Sequence, residues 1–389
     1  MTLDEFELEV YFAKYEFNVK YLLCSSDAET VKMSTLLSAA DDECKELWEN
    51  LTLGYTEAPG LPLLREEVAK NYEGIGADDI LMFAGAEEAI YATMRSLLEP
   101  GDHVICILPA YQSLLSVAAD VVGRSNCKGL DLEDIDGSWK FPMKKLRKMI
   151  SSKTKMVIMN FPHNPTGAMI SREEQQEIVE IARENDSWIF FDEVYRGLER
   201  NPEDRLPQMC TLYEKALSLG VMSKSLGLPG LRVGWLVSKD SSSMTKIANY
   251  KHYLSICNSA PSEVLSLIAL RCQDRLLSRI HGIISKNYAI IDRFLNEFGD
   301  MFVWNPPKAG CIGLMTLKGD VDIETFVEKM IEFGSVMVLP GHLFPSVDSG
   351  CTRNSFRFGF GRHNFEEAME VFSRCVRRYK NEGGSCRLT

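Results

Sequence analysis

From about Asp79 onward the sequence repeats one phrase: a short apolar run, a turn, then a stretch with helical spacing. The apolar runs fall at residues 80–84, 104–108, 155–160, 188–192, 220–223 and 233–237, with helical patterns between them, such as 87–98 and 172–185. The runs are continuously apolar rather than alternating. That pattern belongs to parallel strands covered by helices on both faces. In such sheets ligands bind beyond the carboxyl ends of the strands, so the polar residues that close each run become the candidates for chemistry.

A long helical stretch follows Pro261 and ends near Gly299. After it comes a second, smaller α/β pattern, with strands at 311–317, 336–340 and 355–359 and helices at 323–333 and 364–380. The expected division is an N-terminal arm or part of a small domain at 1–45, a large domain at 46–285 and a small C-terminal domain at 286–389. A chain of 389 residues can bury such cores without covalent staples. Its net charge of −12 argues against a nucleic-acid partner. No apolar run approaches the ~20 residues of a membrane span, and Met1-Thr2-Leu3-Asp4-Glu5 lacks the basic and apolar regions of a signal peptide. Eleven cysteines, with no CxxC pair, read as reduced thiols, and six dispersed histidines offer no metal site. A cytoplasmic protein is expected.

Several runs end in unusual residues. Met156–Asn160 leads into Phe161-Pro162-His163-Asn164-Pro165-Thr166-Gly167. Trp188–Phe191 ends in Asp192-Glu193-Val194-Tyr195. Gly220–Met222 ends in Ser223-Lys224, and Arg232 follows Lys224 by eight residues. Singly these are a turn, a helix N-cap and a loop lysine. Their order and the eight-residue step carry more.

Together they resemble a fold-type I pyridoxal 5′-phosphate enzyme of the class I/II aminotransferase superfamily, over nearly the whole chain from Gly54. Tyr55, Gly60 and Leu64-Arg65 resemble one family element, and Ala84-Gly85-Ala86-Glu87-Glu88-Ala89 its phosphate-cradling turn. Pro109-Ala110-Tyr111 and Phe356-Arg357-Phe358-Gly359 complete the set. The resemblance implies a large domain with a mostly parallel sheet that binds the cofactor, plus a smaller α/β C-terminal domain. It implies that Lys224 holds the cofactor as a Schiff base and shuttles the Cα proton. Asp192 would pair with the pyridine nitrogen. Tyr195 and Asn164 would bind the ring oxygen, and Tyr111 would stack on the ring. Backbone N–H groups of Gly85, Ala86 and Glu87, with Arg232 and Ser223, would hold the phosphate. Arg357 would clamp the substrate carboxylate, with Asn164 beside it. Tyr55 would reach the phosphate of a neighbouring subunit, making the active unit a homodimer. Arg353 and Arg362 read as solvated. Two departures stand out. Val221 replaces a hydroxyl residue three positions before the lysine, and Leu22-Leu23-Cys24-Ser25-Ser26-Asp27 replaces a Gly-rich segment over the substrate, placing Ser26 there.

The implied activity is chemistry at Cα of an L-amino acid, with aminotransfer as the default. The alternative is a lyase or cyclase that eliminates and cyclises a hydroxylated arginine, as capreomycidine synthases do. Its motive is the polar Ser-Ser-Asp segment and an acidic stripe of Glu5, Glu9 and Glu16, spaced to share one helical face. Such carboxylates suit a cationic side chain, or else form a solvated helix face. Glu9 is expected to point inward, because Phe6, Val10 and Ala13 mark the adjoining apolar face. A regulatory reading lacks a basic or helix-turn-helix-like segment before Gly54.

Overall fold

The apolar runs assemble into one seven-stranded sheet. The computed structural model describes residues 3–319, 321–348 and 352–382. Its strands are β1 (Tyr21–Leu22), β2 (Ile80–Phe83), β3 (His103–Leu108), β4 (Cys127–Asp131), β5 (Glu133–Ile135), β6 (Ser138–Lys140), β7 (Thr154–Asn160) and β8 (Trp188–Asp192). They continue with β9 (Ala216–Val221), β10 (Gly234–Val237), β11 (Phe302–Trp304), β12 (Ile312–Leu317), β13 (Val336–Met337), β14 (Leu339–Pro340) and β15 (Ser355–Gly359). The large sheet runs β2-β10-β9-β8-β7-β3-β4 and is parallel except for β10. Its central strands are buried except at Lys155, near the start of β7, as continuous apolar runs require.

Helices close both faces. The helix Arg172–Glu184 starts where the sequence supplies a capping box: the Ser171 hydroxyl accepts from the Glu174 N–H, and the Glu174 carboxylate accepts from the Ser171 N–H. It buries Ile178, Val179, Ile181 and Ala182 and turns its charges outward. The stretch after Pro261 is two helices, Ala260–Arg271 and Gln273–Phe298, interrupted at Cys272. The second has 26 residues and runs about 39 Å.

The smaller sheet is antiparallel, in the order β11-β12-β15-β14. The N-terminal segment joins it. β1 pairs in parallel with β13, Tyr21 opposite Val336 and Leu22 opposite Met337. The Gly359 N–H donates to the Leu23 carbonyl, and the Glu29 N–H to the Gly361 carbonyl. The first helix spans Glu7–Tyr15, so Glu5 lies outside it and the proposed three-residue stripe shortens to Glu9 and Glu16. Its apolar face is Leu8, Tyr11, Phe12 and Tyr15, packed against Met337, Leu339 and Phe344. Val10 is 49% exposed, so the apolar face expected from Phe6, Val10 and Ala13 holds only at Phe6.

Two further details differ from the sequence reading. β9 begins at Ala216, four residues before the expected run, and β4 was not foreseen. Cys127-Lys128-Gly129-Leu130-Asp131 carries too few apolar residues to read as a strand, yet its whole length pairs with Val104–Leu108 of β3. The described cysteines form no disulfide, and Cys351 and Cys386 lie outside the described residues. Among the described residues no helix is long and apolar enough to cross a membrane.

Candidate active site

A cleft of about 530 Å³ opens beyond the carboxyl ends of β7, β8 and β9. Its floor is tied together by Asn160, the last residue of β7. The Asn160 amide donates to the Asp192 carbonyl at 2.9 Å, and its oxygen accepts from the Asn164 N–H at 2.7 Å. Sequence reading placed Asn160 at a strand end without giving it a role; its spacing of four before Asn164 was the available signal. Asp192 closes β8 and is 6% exposed. Its carboxylate accepts from the Val194 N–H at 3.1 Å. Burial pushes the Asp192 carboxyl up to about 7, while that N–H and the charge of Lys224 pull it back. Tyr195 is 1% exposed, and its hydroxyl has no hydrogen-bond partner.

Lys224 follows β9 by three residues, and its amine donates to the Ser26 hydroxyl at 2.9 Å. Burial lowers its pKa; Asp27 opposes this ahead of Asp192 among the nearby carboxylates. Ser26, expected over the substrate, is thus in direct contact with the Lys224 amine.

A second feature is the N-terminus of the helix Ala86–Leu97, whose Ala86 and Glu87 line the cleft. Gly85 precedes it with φ +94°, and a Cβ there would run into the Arg232 guanidinium. Arg232 itself holds a left-handed backbone, φ +51°. Its guanidinium faces the cleft with only the Pro229 carbonyl near it, at 3.4 Å, and no carboxylate pairs with it among the described residues. The Glu87 carboxyl accepts from the Ser113 hydroxyl at 3.0 Å, and burial raises it to about 7. Ser223 lines the cleft beside Lys224.

The outer wall comes from the two ends of the chain. Tyr111 lines the cleft and donates to Glu9 at 3.2 Å, its ring tilted against Phe6. Glu9 does face the cleft, as expected. Arg362, expected to be solvated, instead lines the cleft and pairs with Asp27 at 2.8 Å; Arg353 is exposed. The sequence offered no sign of that pair, because its members stand 335 positions apart. Arg357 on β15 is 1% exposed. It donates to the Cys24 carbonyl at 3.1 Å and to the Asn164 side-chain oxygen at 3.2 Å. Two of its five N–H groups are thus engaged. Tyr55 does not join these residues: it is 91% exposed. The element around it is nonetheless built, since Arg65 donates to the Gly60 carbonyl at 3.2 Å, and Gly60 has φ +109° against the Met82 side chain.

The floor therefore presents an unpaired guanidinium at a helix N-terminus, a buried carboxyl without a cation in contact, and an orphaned hydroxyl. These suit a ligand with an anionic end, a protonated ring nitrogen and a ring oxygen.

Residues 19–372 match the family described as Aminotransferase class I and II. An aspartate aminotransferase of Sulfurisphaera tokodaii is 26% identical over 318 residues, 77% of this chain and 77% of its own. A capreomycidine synthase of Streptomyces vinaceus is 25% identical over 318 residues, covering 80% of this chain and 77% of its own. Among solved structures, a PLP-dependent aminotransferase from Streptococcus suis is 27% identical, superposes with a TM-score of 0.89 and covers 97% of this chain and 99% of its own.

Proposed function

The chain belongs to the class I and II aminotransferases, with their large, mostly parallel sheet and smaller C-terminal part. From that premise we propose that it moves the amino group of an L-amino acid to a 2-oxo acid, with pyridoxal 5′-phosphate as cofactor. The observation that carries this reading is the part-buried Lys224 amine, its pKa lowered, in one cleft with the buried Asp192 carboxyl and the unpartnered Tyr195 hydroxyl.

Each residue has a task that its surroundings support. Arg232 and the N–H groups of Gly85, Ala86 and Glu87 hold the phosphate, and Ser223 adds a hydroxyl. Asp192 keeps a proton on the ring nitrogen, which relieves its own burial. Tyr195 and Asn164 would donate to the ring oxygen, and Tyr111 would stack against the ring. Pyridoxal phosphate, when bound, supplies a protonated ring that draws off the electron pair left at a substrate Cα. Lys224 would hold it covalently and, once displaced by the substrate's amine, would move the proton at that carbon; its lowered pKa would leave more of the freed amine able to act as a base. Arg357 binds the α-carboxylate with its remaining N–H groups.

The exposed Leu53 and Tyr55, 87% and 91%, support a homodimer in which Tyr55 reaches the phosphate of the second subunit. The described cysteines, none of them in a disulfide, support a reducing compartment, the cytoplasm. A second reading, a lyase or cyclase on the same cofactor, is favoured by the capreomycidine synthase relative. One experiment separates them. The holoenzyme is mixed with amino acids singly, with and without a 2-oxo acid. Aminotransfer converts the cofactor to its amine form, and the oxo acid restores it. A lyase or cyclase returns the aldehyde form with no oxo acid present, which would overturn the first reading.

A further inference from the structure

The outer wall of the cleft carries more acid than the floor accounts for. Glu9, Glu16 and Asp27 line it against a single guanidinium, Arg362. Asp27 occupies that guanidinium. Three carboxylates less one guanidinium leave two negative charges uncompensated. Glu9 accepts only the Tyr111 hydroxyl. Glu16 has no hydrogen-bond or ion-pair partner among the described residues; partial burial raises its carboxyl, Glu9 and Asp27 raise it further, and Arg362 opposes. The acids do not stand alone. They share the cleft with Lys224 and with the buried, unpartnered hydroxyl of Tyr195, so a ligand belongs there on independent grounds.

The acids are also arranged. Glu9, Phe12 and Glu16 follow one another at three and four residues, and Glu16 keeps helical dihedrals at the end of the first helix. They form one stripe facing the cleft, with an aromatic ring between two carboxylates. That is a surface for an aliphatic stem with a charged head. An acidic side chain would meet the same carboxylates, and the one guanidinium able to receive it is already held by Asp27.

Resting on the reading of this cleft as an amino-acid site, we propose that the substrate carries a cationic side chain, an ammonium or guanidinium, received by Glu16 and Glu9. The test uses the holoenzyme and follows the cofactor spectrum in single turnovers with lysine, ornithine, arginine, norleucine and glutamate. Norleucine has the lysine stem without its charge. At least one cationic amino acid should exceed norleucine in kcat/KM by about 10-fold or more, with glutamate below both. In Glu16→Gln and in Glu9→Gln that ratio should fall, and in the double variant it should approach one. Cofactor absorbance reports whether each variant has folded, and the wild-type panel decides the matter without them. Norleucine or glutamate equalling every cationic amino acid would overturn the inference and leave the amino-acid reading standing. No spectral response to any amino acid would overturn that reading, and this inference with it.

Discussion

The floor of the cleft and its outer wall are built by different means. Asn160, Asp192 and Lys224 stand at or just past the ends of neighbouring strands, where the register of β7, β8 and β9 fixes their spacing. Glu9, Glu16, Ser26 and Asp27 stand on a nine-residue helix and a loop, and Arg362 beyond β15. The floor is buried and short of charged partners. The wall is half-exposed and crowded with charge. A sheet places a few groups firmly enough for chemistry at a single atom, whereas a helix and loop offer an adjustable surface for what varies between substrates.

The sharpest way to break this contrast is at Lys224. Lys224→Ala should lose turnover by roughly 1,000-fold or more, since it removes the proton-moving group. Borohydride reduction of the parent, followed by peptide mapping, should place the pyridoxyl label on Lys224. A label elsewhere would move the chemistry off the floor.

Asp192→Asn comes next and should cost roughly 100-fold or more in kcat. It should also act on the cofactor-free chain. Folding raises this carboxyl from 3.8 to about 7. The unfolded chain therefore releases the proton first, and the folded chain loses stability as pH rises from about 4 to about 7. Asp192→Asn removes that contribution, so the cofactor-free variant should be more stable than its parent at pH 8 by on the order of 2 kcal/mol. Urea unfolding at pH 5 and pH 8 would show it. A variant no more stable at pH 8 would mean that the carboxyl is satisfied without a cation.

Gly85→Ala tests the junction of the two halves of the proposed phosphate site. Its Cβ meets Arg232 in a backbone that disfavours side chains. A stability loss of about 1–2 kcal/mol is expected, with weaker cofactor retention on dialysis. The smallest effect belongs to the wall. Arg362→Met should cost stability only about 0.5 kcal/mol, because its pair with Asp27 is part-exposed. It should change KM for the amino donor several-fold while the cofactor stays bound. Loss of the cofactor would blur the division between floor and wall.

The same contrast governs what could be read from the sequence. Asn160 and Asp192 close apolar runs and Lys224 follows one, so pattern drew attention to these strand ends, but the roles of Asp192, Lys224 and Asn164 came from the resemblance to the family. The common task expected of Gly85 and Arg232 came from the same resemblance, since the eight-residue step links Arg232 only to Lys224. The strand β4 escaped because an edge strand with Lys128 and Gly129 in it has no apolar run to show. The acidic stripe was half legible. Glu9 lines the cleft, but the apolar face of Phe6, Val10 and Ala13 from which its direction was inferred holds only at Phe6: the helix begins only at Glu7, and Leu8 rather than Val10 is its buried side. Arg362 was misjudged because its partner is supplied by the opposite end of the chain.

The two-residue ladder between β1 and β13 has a mechanical meaning. It fastens the segment bearing Ser26 and Asp27 to β13, which leads directly into β14 of the smaller sheet, with Arg362 just beyond β15, while Asp192 and Lys224 ride on the larger one. The cleft thus resembles a caliper, with one jaw on each sheet. A tilt between the sheets changes the gap from Lys224 to Glu16 and leaves each jaw's own contacts intact. Substitutions among the first thirty residues that leave the Ser26–Lys224 contact in place are accordingly expected to reset which side chain the gap admits.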